Sequence, residues 1–195
     1  VATVSIKNKD LVRKILQFEK EQNQRDYMLL YTGFFTALRV SDLIEMKVKD
    51  VKGKQSLRIK EKKTGKYRDF DMPIKLRKEL QAYCKDRADD EYLFKSRQYA
   101  PKRKSKDNKL FEEDNTPISR QRVWQIMKEI EVKFNLENIG CHTMRKTFGY
   151  HHYRVFKNLA TLQRILNHRS IEETKIYIGV EQEDVNSELR AFDYD

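Results

Sequence analysis

The stretch from Tyr27 to Leu38, YMLLYTGFFTAL, is apolar on nearly every face. A helix of that kind has no side to offer water, so it is expected as a buried helix around which the remaining elements pack. It starts from about Gln24 and delivers the chain to Arg39. A charge at the mouth of a buried helix needs an anionic partner, because an unpaired one there is costly. Asp42 or Glu45 could supply it as a structural ion pair, and so could a ligand; the sequence leaves both open. Ser41 is expected to cap the helix that follows.

The flanking segments supply the packing partners. Residues 9–20, KDLVRKILQFEK, place Leu11, Val12, Ile15, Leu16 and Phe18 largely at helical spacing. SLRIKEKK and TGKYRDFDMPI alternate apolar and polar residues about Thr64-Gly65-Lys66, which predicts a β-hairpin with Lys63 beside its tip. Taken alone, such a lysine reads equally as protection of an edge strand. Lys75 to Arg87 reads as an amphipathic helix through Leu76, Leu80, Tyr83 and Cys84, followed by the short apolar element EYLF. Residues 95–117 read as a polar loop carrying Arg97, Lys102, Arg103, Lys104, Lys106 and Lys109, either ordered on a phosphate backbone or simply solvated. From Ser119 a helix resumes with Val123, Ile126, Met127, Ile130 and Phe134 on one face. Arg120, Gln121 and Arg122 crowd its first turn, where positive charge opposes the helix dipole and is better explained by an external anion. The fold class is mainly α with a small antiparallel β-sheet (α+β).

A chain of 195 residues suits one domain with a real core. Its 41 Lys+Arg against 30 Asp+Glu give a net charge of +11, which favours a nucleic-acid or acidic-surface partner beside the plainer reading of a solvated basic surface. No apolar run reaches the length of a membrane span, and VATVSIKNKD is not a signal peptide. That start lacks an initiator methionine, so a fragment of a longer chain is expected. Cys84 and Cys141 have neither metal spacing nor a disulfide-rich context, which fits a reducing interior.

The positive charge is concentrated. Between His142 and Arg169 stand Arg145, Lys146, Arg154, Lys157, Arg164 and Arg169, with no acidic residue, and all four histidines lie in this stretch. Helical spacing sets His142 and Arg145 on one face. A helix from roughly Leu159 to Leu166 ends near Asn167-His168, and Ser170 with Glu173 forms a capping box for the helix carrying Tyr177, which Gly179 ends or bends. Residues 181–195 turn acidic, with Val185, Leu189 and Phe192 as an apolar stripe that covers the core or docks on another subunit.

The set Arg39, Lys63, His142-x-x-Arg145, His168 and Tyr177 resembles the active-site signature of the tyrosine recombinases, the phage and transposon integrase family. The intervals match as well: 23 residues from Arg145 to His168 and 9 from His168 to Tyr177. TGFFTALRVSDLIEMKVKDV resembles the family's segment around its first arginine, and KKTGK its hairpin lysine. One departure is visible, because Leu166-Asn167-His168 stands where the family often has Leu-Gly-His.

The resemblance runs from about residue 5 to 190 and implies the family's catalytic-domain fold, as the C-terminal part of a longer integrase. It further implies that Tyr177 attacks a DNA phosphate and leaves a 3′-phosphotyrosyl link. Arg39 and Arg145 would clamp the non-bridging oxygens. Lys63 would protonate the leaving 5′-oxygen, His142 would handle the tyrosine proton, and His168 would donate to the phosphate. No metal, ATP or other cofactor is called for, nor a small-molecule substrate. Double-stranded DNA is the expected partner, contacted by Lys66, Arg97, Lys102, Arg103, Lys104, Arg120, Gln121, Arg122 and Lys146, with further protomers completing a DNA-bound tetramer. The tail 181–195 would dock in cis or on a neighbour. The expected location is the cytoplasm of a bacterial or phage-infected cell, at the nucleoid.

Other readings stand beside it. A type IB topoisomerase shares the chemistry but would relax DNA instead of joining two sites. A non-catalytic DNA-binding module would need no Tyr177 in this register. A Mg²⁺ nuclease would want clustered carboxylates, which the His142–Arg169 stretch lacks, and His142, His151 and His152 have no zinc-site pattern. His151 and His152 read as surface or packing residues of a helix.

Overall fold

In the computed structural model, which describes residues 3–97, 115–179 and 189–192, the axis of the molecule is helix α2, Gln24–Thr36. Its Met28, Leu29 and Leu30 are fully buried, as the all-round apolar pattern requires. Helix α1, Lys9–Gln22, folds back on it across a single-residue corner. Asn23 makes that corner: its N–H closes α1 on the Glu19 carbonyl, and its side-chain oxygen accepts from the first N–H groups of α2.

Beyond Thr36 the chain turns at Ala37, in the left-handed region at φ 53°, and enters the short helix α3, Val40–Leu43. Ser41 lies inside that turn of helix and does not cap it; its hydroxyl faces Asp42 at 3.4 Å. The cap position falls at Arg39, just after the left-handed turn at Ala37 and two residues before the Ser41 that the capping pattern suggests. A 3-10 turn, Val48–Asp50, leads to the expected hairpin, β1 Ser56–Lys60 and β2 Tyr67–Asp71, antiparallel with Ile59 opposite Arg68. Leu57 and Ile59 point inward, and so, two residues on, does Glu61.

Helix α4, Ile74–Cys84, packs on α2 through an apolar face that includes Leu76 and Leu80. The EYLF segment buries Leu93 and Phe94 completely. Helix α5, Arg120–Lys133, is capped by the Ser119 hydroxyl and buries Val123, Ile126, Met127 and Ile130. Helix α6, Thr143–Phe156, crosses α2 so closely that a Cβ on Gly33 would lie 2.5 Å from the Met144 sulfur.

Helices α7, Leu159–Leu166, and α8, Ile171–Ile178, pair with each other and with α6 around a second, smaller core of Ala37, Leu162, Leu166 and Ile178. Tyr177 packs on the edge of this core. Gly149 permits the contact of α6 with α8, since a Cβ there would meet the Ile178 methyl at 2.9 Å. Ser170 caps α8 as expected, but the Glu173 carboxylate reaches back to the N–H of Arg169 and not to that of Ser170. The fold class is the expected one, mainly helical with a two-stranded antiparallel sheet. Of the C-terminal stripe only 189–192 is described, with Leu189 and Phe192 exposed; Val185 lies outside the described residues. No helix among the described residues is long and apolar enough to cross a membrane.

Candidate active site

The site forms where three chain turns meet: the exit of α2, the loop of the hairpin, and the junction of α7 with α8. Arg145, on the first turn of α6 and only 2% exposed, ties two of them together. One end of its guanidinium donates to the Ala37 carbonyl and the other to the Leu166 carbonyl. Both acceptors lie at the C-terminal ends of helices, where free carbonyls carry partial negative charge. Burial, and then the neighbouring Arg39 and Arg68, push its pKa down to about 10 against the opposing pull of Tyr177 and Glu61, so it remains a cation at neutral pH.

Arg39 is partly buried, and its partner is neither Asp42 nor Glu45 but Glu61. Arg39 Nη1 lies 2.9 Å from Glu61 Oε1, close but off the hydrogen-bond axis. Glu61 has no exposed surface and also faces Arg68 at 3.8 Å. Burial alone would raise its pKa, but hydrogen bonds from Thr64 and Asn167 and the charge of Arg39 outweigh that and hold it below the usual carboxylate range. Asp42, also buried, is turned to the hairpin and accepts the N–H of Lys62 at 3.0 Å. The inward position of Glu61 was a signal within the sequence: it continues the period-two series Leu57, Ile59, 61.

Tyr177 sits beside these arginines. Its ring meets His168 edge-on, with centroids 4.9 Å apart, and the Lys146 ammonium lies 5.3 Å from its centre on another side. Burial raises the pKa of the phenol while Arg145 and Arg39 lower it, with a net upward shift, so the hydroxyl is neutral at pH 7. That hydroxyl is buried and has no hydrogen-bond partner; Arg39 Nη1 and Arg68 Nη1 also make no hydrogen bond, but both face Glu61 Oε1, at 2.9 and 3.8 Å. Buried polar atoms are ordinarily paired. A buried hydroxyl left unpaired beside the guanidiniums of Arg39 and Arg145 is suited to an incoming anion.

His168 follows α7 and contacts the Thr174 hydroxyl through Nδ1 at 3.1 Å, while that hydroxyl donates to the Ser170 carbonyl. The hydroxyl proton being committed there, Nδ1 carries its own proton and Nε2 is left for other work. Desolvation, then Arg145 and Arg39, lower the pKa of His168. His142 stands exposed at the start of α6, and partial desolvation followed by the charges of Arg120, Arg145, Lys146 and Arg39 lowers its pKa as well. A neutral imidazole results, able to accept a proton. Lys63 is exposed in the hairpin loop, near enough to α8 that Glu173, held low first by the Arg169 N–H, also feels its charge.

The positions expected at DNA divide. Lys66 and Arg97 are exposed, and Arg120 and Gln121 line a groove with Trp124 beside His142. Lys102, Arg103 and Lys104 lie outside the described residues. Arg122 faces carboxylates of the protein instead of an outside anion: its guanidinium bonds Glu129 at 2.6 Å and lies 3.6 Å from Asp26. Lys146 donates to the Thr3 carbonyl at 2.7 Å and covers the Tyr177 ring, so it is committed within the molecule. His151 bonds the Ile6 carbonyl and His152 stacks between Phe148 and Phe156, both as packing residues. Among the described residues no three His, Cys, Asp or Glu side chains are grouped as a metal site.

The family model described as "Phage integrase family" matches residues 7–184. The chain is 38% identical to the probable integrase/recombinase YoeC of Bacillus subtilis over 187 residues, covering 96% of this chain and 95% of that protein. It is 29% identical over 171 residues to the tyrosine recombinase XerA of Pyrococcus furiosus, and spans only 55% of that protein's length. In three dimensions it matches the crystal structure of XerA recombinase with a TM-score of 0.73 at 19% identity, over 97% of this chain and 63% of that one. It matches a lambda integrase dimer bound to a COC′ core site with a TM-score of 0.66 at 20% identity, over 91% of this chain and 60% of that one.

Proposed function

The chain belongs to the phage integrase family, and from that premise we propose that it is the catalytic domain of a site-specific DNA recombinase acting through a 3′-phosphotyrosyl intermediate. The observation that carries this reading is the buried, unpartnered Tyr177 hydroxyl beside Arg39 and Arg145. A phosphodiester brought to that hydroxyl would lie among the guanidiniums of Arg39, Arg68 and Arg145. In cleavage, the Tyr177 oxygen forms a bond to phosphorus as the bond from phosphorus to the 5′-oxygen breaks. The phenol proton passes to His142, and Lys63 protonates the departing 5′-oxygen. Negative charge gathering on the non-bridging oxygens is met by guanidiniums already in place, so little reorganisation is needed as it develops. Attack by another strand's 5′-hydroxyl reverses these steps and joins the ends.

Double-stranded DNA is the partner, and Lys66, Arg97, Arg120 and Gln121 are the exposed side chains placed to meet its backbone. Protomers assemble on that DNA as a tetramer, with the 181–195 tail docking on a neighbour. The protein works in the cytoplasm of a bacterial or phage-infected cell, on nucleoid or phage DNA. Covalent trapping on nicked duplexes that lose the cleaved 5′ fragment tests the reading. A slower band on a denaturing gel, formed in EDTA and absent in Tyr177→Phe, is the expected result. DNA binding without such a band, in the full-length protein on its own site, would favour a binding module instead.

A further inference from the structure

On the footing of that recombinase reading, we infer that Glu61, working with Asn167, is a positioning residue that holds three catalytic elements in one register. Its Oε1 faces Arg39 at 2.9 Å. Its Oε2 accepts from the Thr64 hydroxyl, in the loop that carries Lys63, at 2.8 Å. The same oxygen accepts from Asn167 Nδ2 at 2.7 Å, on the residue that precedes His168. The phosphate clamp, the leaving-group acid and the histidine turn are therefore all fastened to one fully buried carboxylate. The hairpin loop is closed at the same residue, whose N–H bonds the Lys66 carbonyl and whose carbonyl accepts from Gly65.

Two physical points separate this from ordinary packing. A buried ion pair adds little net stability over an apolar replacement of equal volume. Its worth here lies in which groups it fixes. Asn167 closes α7 in the left-handed region, φ 50°, a place glycine fills with less strain. The amide that glycine would lack is the group that reaches Glu61. Thr64 and Asn167 occupy Oε2 of Glu61, which leaves Oε1 to face the guanidiniums of Arg39 at 2.9 Å and Arg68 at 3.8 Å and so to orient them.

The test uses the full-length protein and nicked duplexes tiled across the DNA flanking its gene, each made with a normal 5′-oxygen or a 5′-bridging sulfur at the scissile phosphate. A thiol ionises near pH 8.5, so the sulfur leaves without an acid and the contribution of Lys63 drops out. Glu61→Gln is expected to slow single-turnover cleavage of the oxygen substrate about 10–100-fold, and Asn167→Gly about 3–10-fold, because misplaced donors lose transition-state stabilisation. DNA affinity should stay within about threefold for both, since the phosphate contacts that dominate binding are retained. On the sulfur substrate each defect should shrink, leaving only the part carried by Arg39. Should Glu61→Gln fail to fold, Asn167→Gly carries the test, because its backbone conformation suits glycine. Wild-type rates in Asn167→Gly, or equal slowing on the oxygen and sulfur substrates, would overturn the inference while leaving the recombinase reading intact. No adduct from the wild-type protein on any duplex would overturn both.

Discussion

The two ends of helix α2 both carry buried arginines, and they are treated in opposite ways. At the N-terminal end, Arg25 bonds Asp26 and the Lys95 carbonyl, and Arg122 lies between Asp26 and Glu129, with Glu19 close by. Carboxylates there are so plentiful that Glu19 is driven up to about 7, by burial first and then by Asp26 and Glu129. At the C-terminal end, Arg39, Arg68 and Arg145 converge where Glu61 is the ion-paired carboxylate and buried Asp42 acts on Arg68 from further off. The first end is closed on itself. The second holds surplus positive charge beside a hydroxyl without a partner, which distinguishes a site for an external anion from a structural cluster of the same residue type.

Mutations can break that contrast, and the largest effect belongs to the nucleophile. Tyr177→Phe should abolish the covalent adduct, a loss of more than about 10⁴-fold by the standard of other removed nucleophiles, while a gel-shift assay still detects DNA binding. Arg39→Lys keeps the charge and loses the fork, and should lower the single-turnover cleavage rate about 10²–10³-fold. A change of less than threefold would mean that the surplus charge at this end is structural after all.

Effects at the carboxylate-rich end should appear in stability and leave cleavage alone. Glu19 has a folded pKa of about 7 against 4.5 when free. The folded state thus binds this proton more tightly, and the cost of ionising it grows as pH rises from about 4.5 to about 7 and is complete above that. Glu19→Gln should accordingly raise stability in urea melts at pH 8 by on the order of 2 kcal/mol and change little at pH 4. A benefit confined to low pH would refute the assignment. Smallest is Arg122→Ala, expected to cost about 1 kcal/mol through the exposed part of its ion-pair network. Its DNA affinity, measured across a salt series, should match wild type; a clearly weaker salt dependence would return Arg122 to the DNA interface.

Much of the architecture follows from local pattern. The all-round apolar run could only be a buried helix, the alternation about Thr64-Gly65-Lys66 could only close as a hairpin, and α7 has the limits its apolar spacing implies. The resemblance placed Arg39, Arg145, His168 and Tyr177 together, and the tertiary structure brings those four into one cluster. Arg122 and Lys146 read as DNA contacts because a basic side chain near a helix start looks unpaired until the packing supplies its partner. For Arg122 the partners are Glu129, two turns on in the same helix, and Asp26, far away along the chain, and for Lys146 they are the Thr3 carbonyl and the Tyr177 ring.

The sequence by itself determined which segments are helical or extended, which faces are apolar and which residue types the chemistry draws on, because these depend on neighbours a few positions apart. Only the tertiary structure decided the partners of the charged groups at the site. Asn167 meets Glu61 across 106 residues and Arg145 meets Ala37 across 108. Contacts at that range depend on how closely helices pack, down to the missing Cβ at Gly33 and Gly149. Local pattern can place a carboxylate on an inward face, but the arginine waiting there is set by the packing of the whole chain.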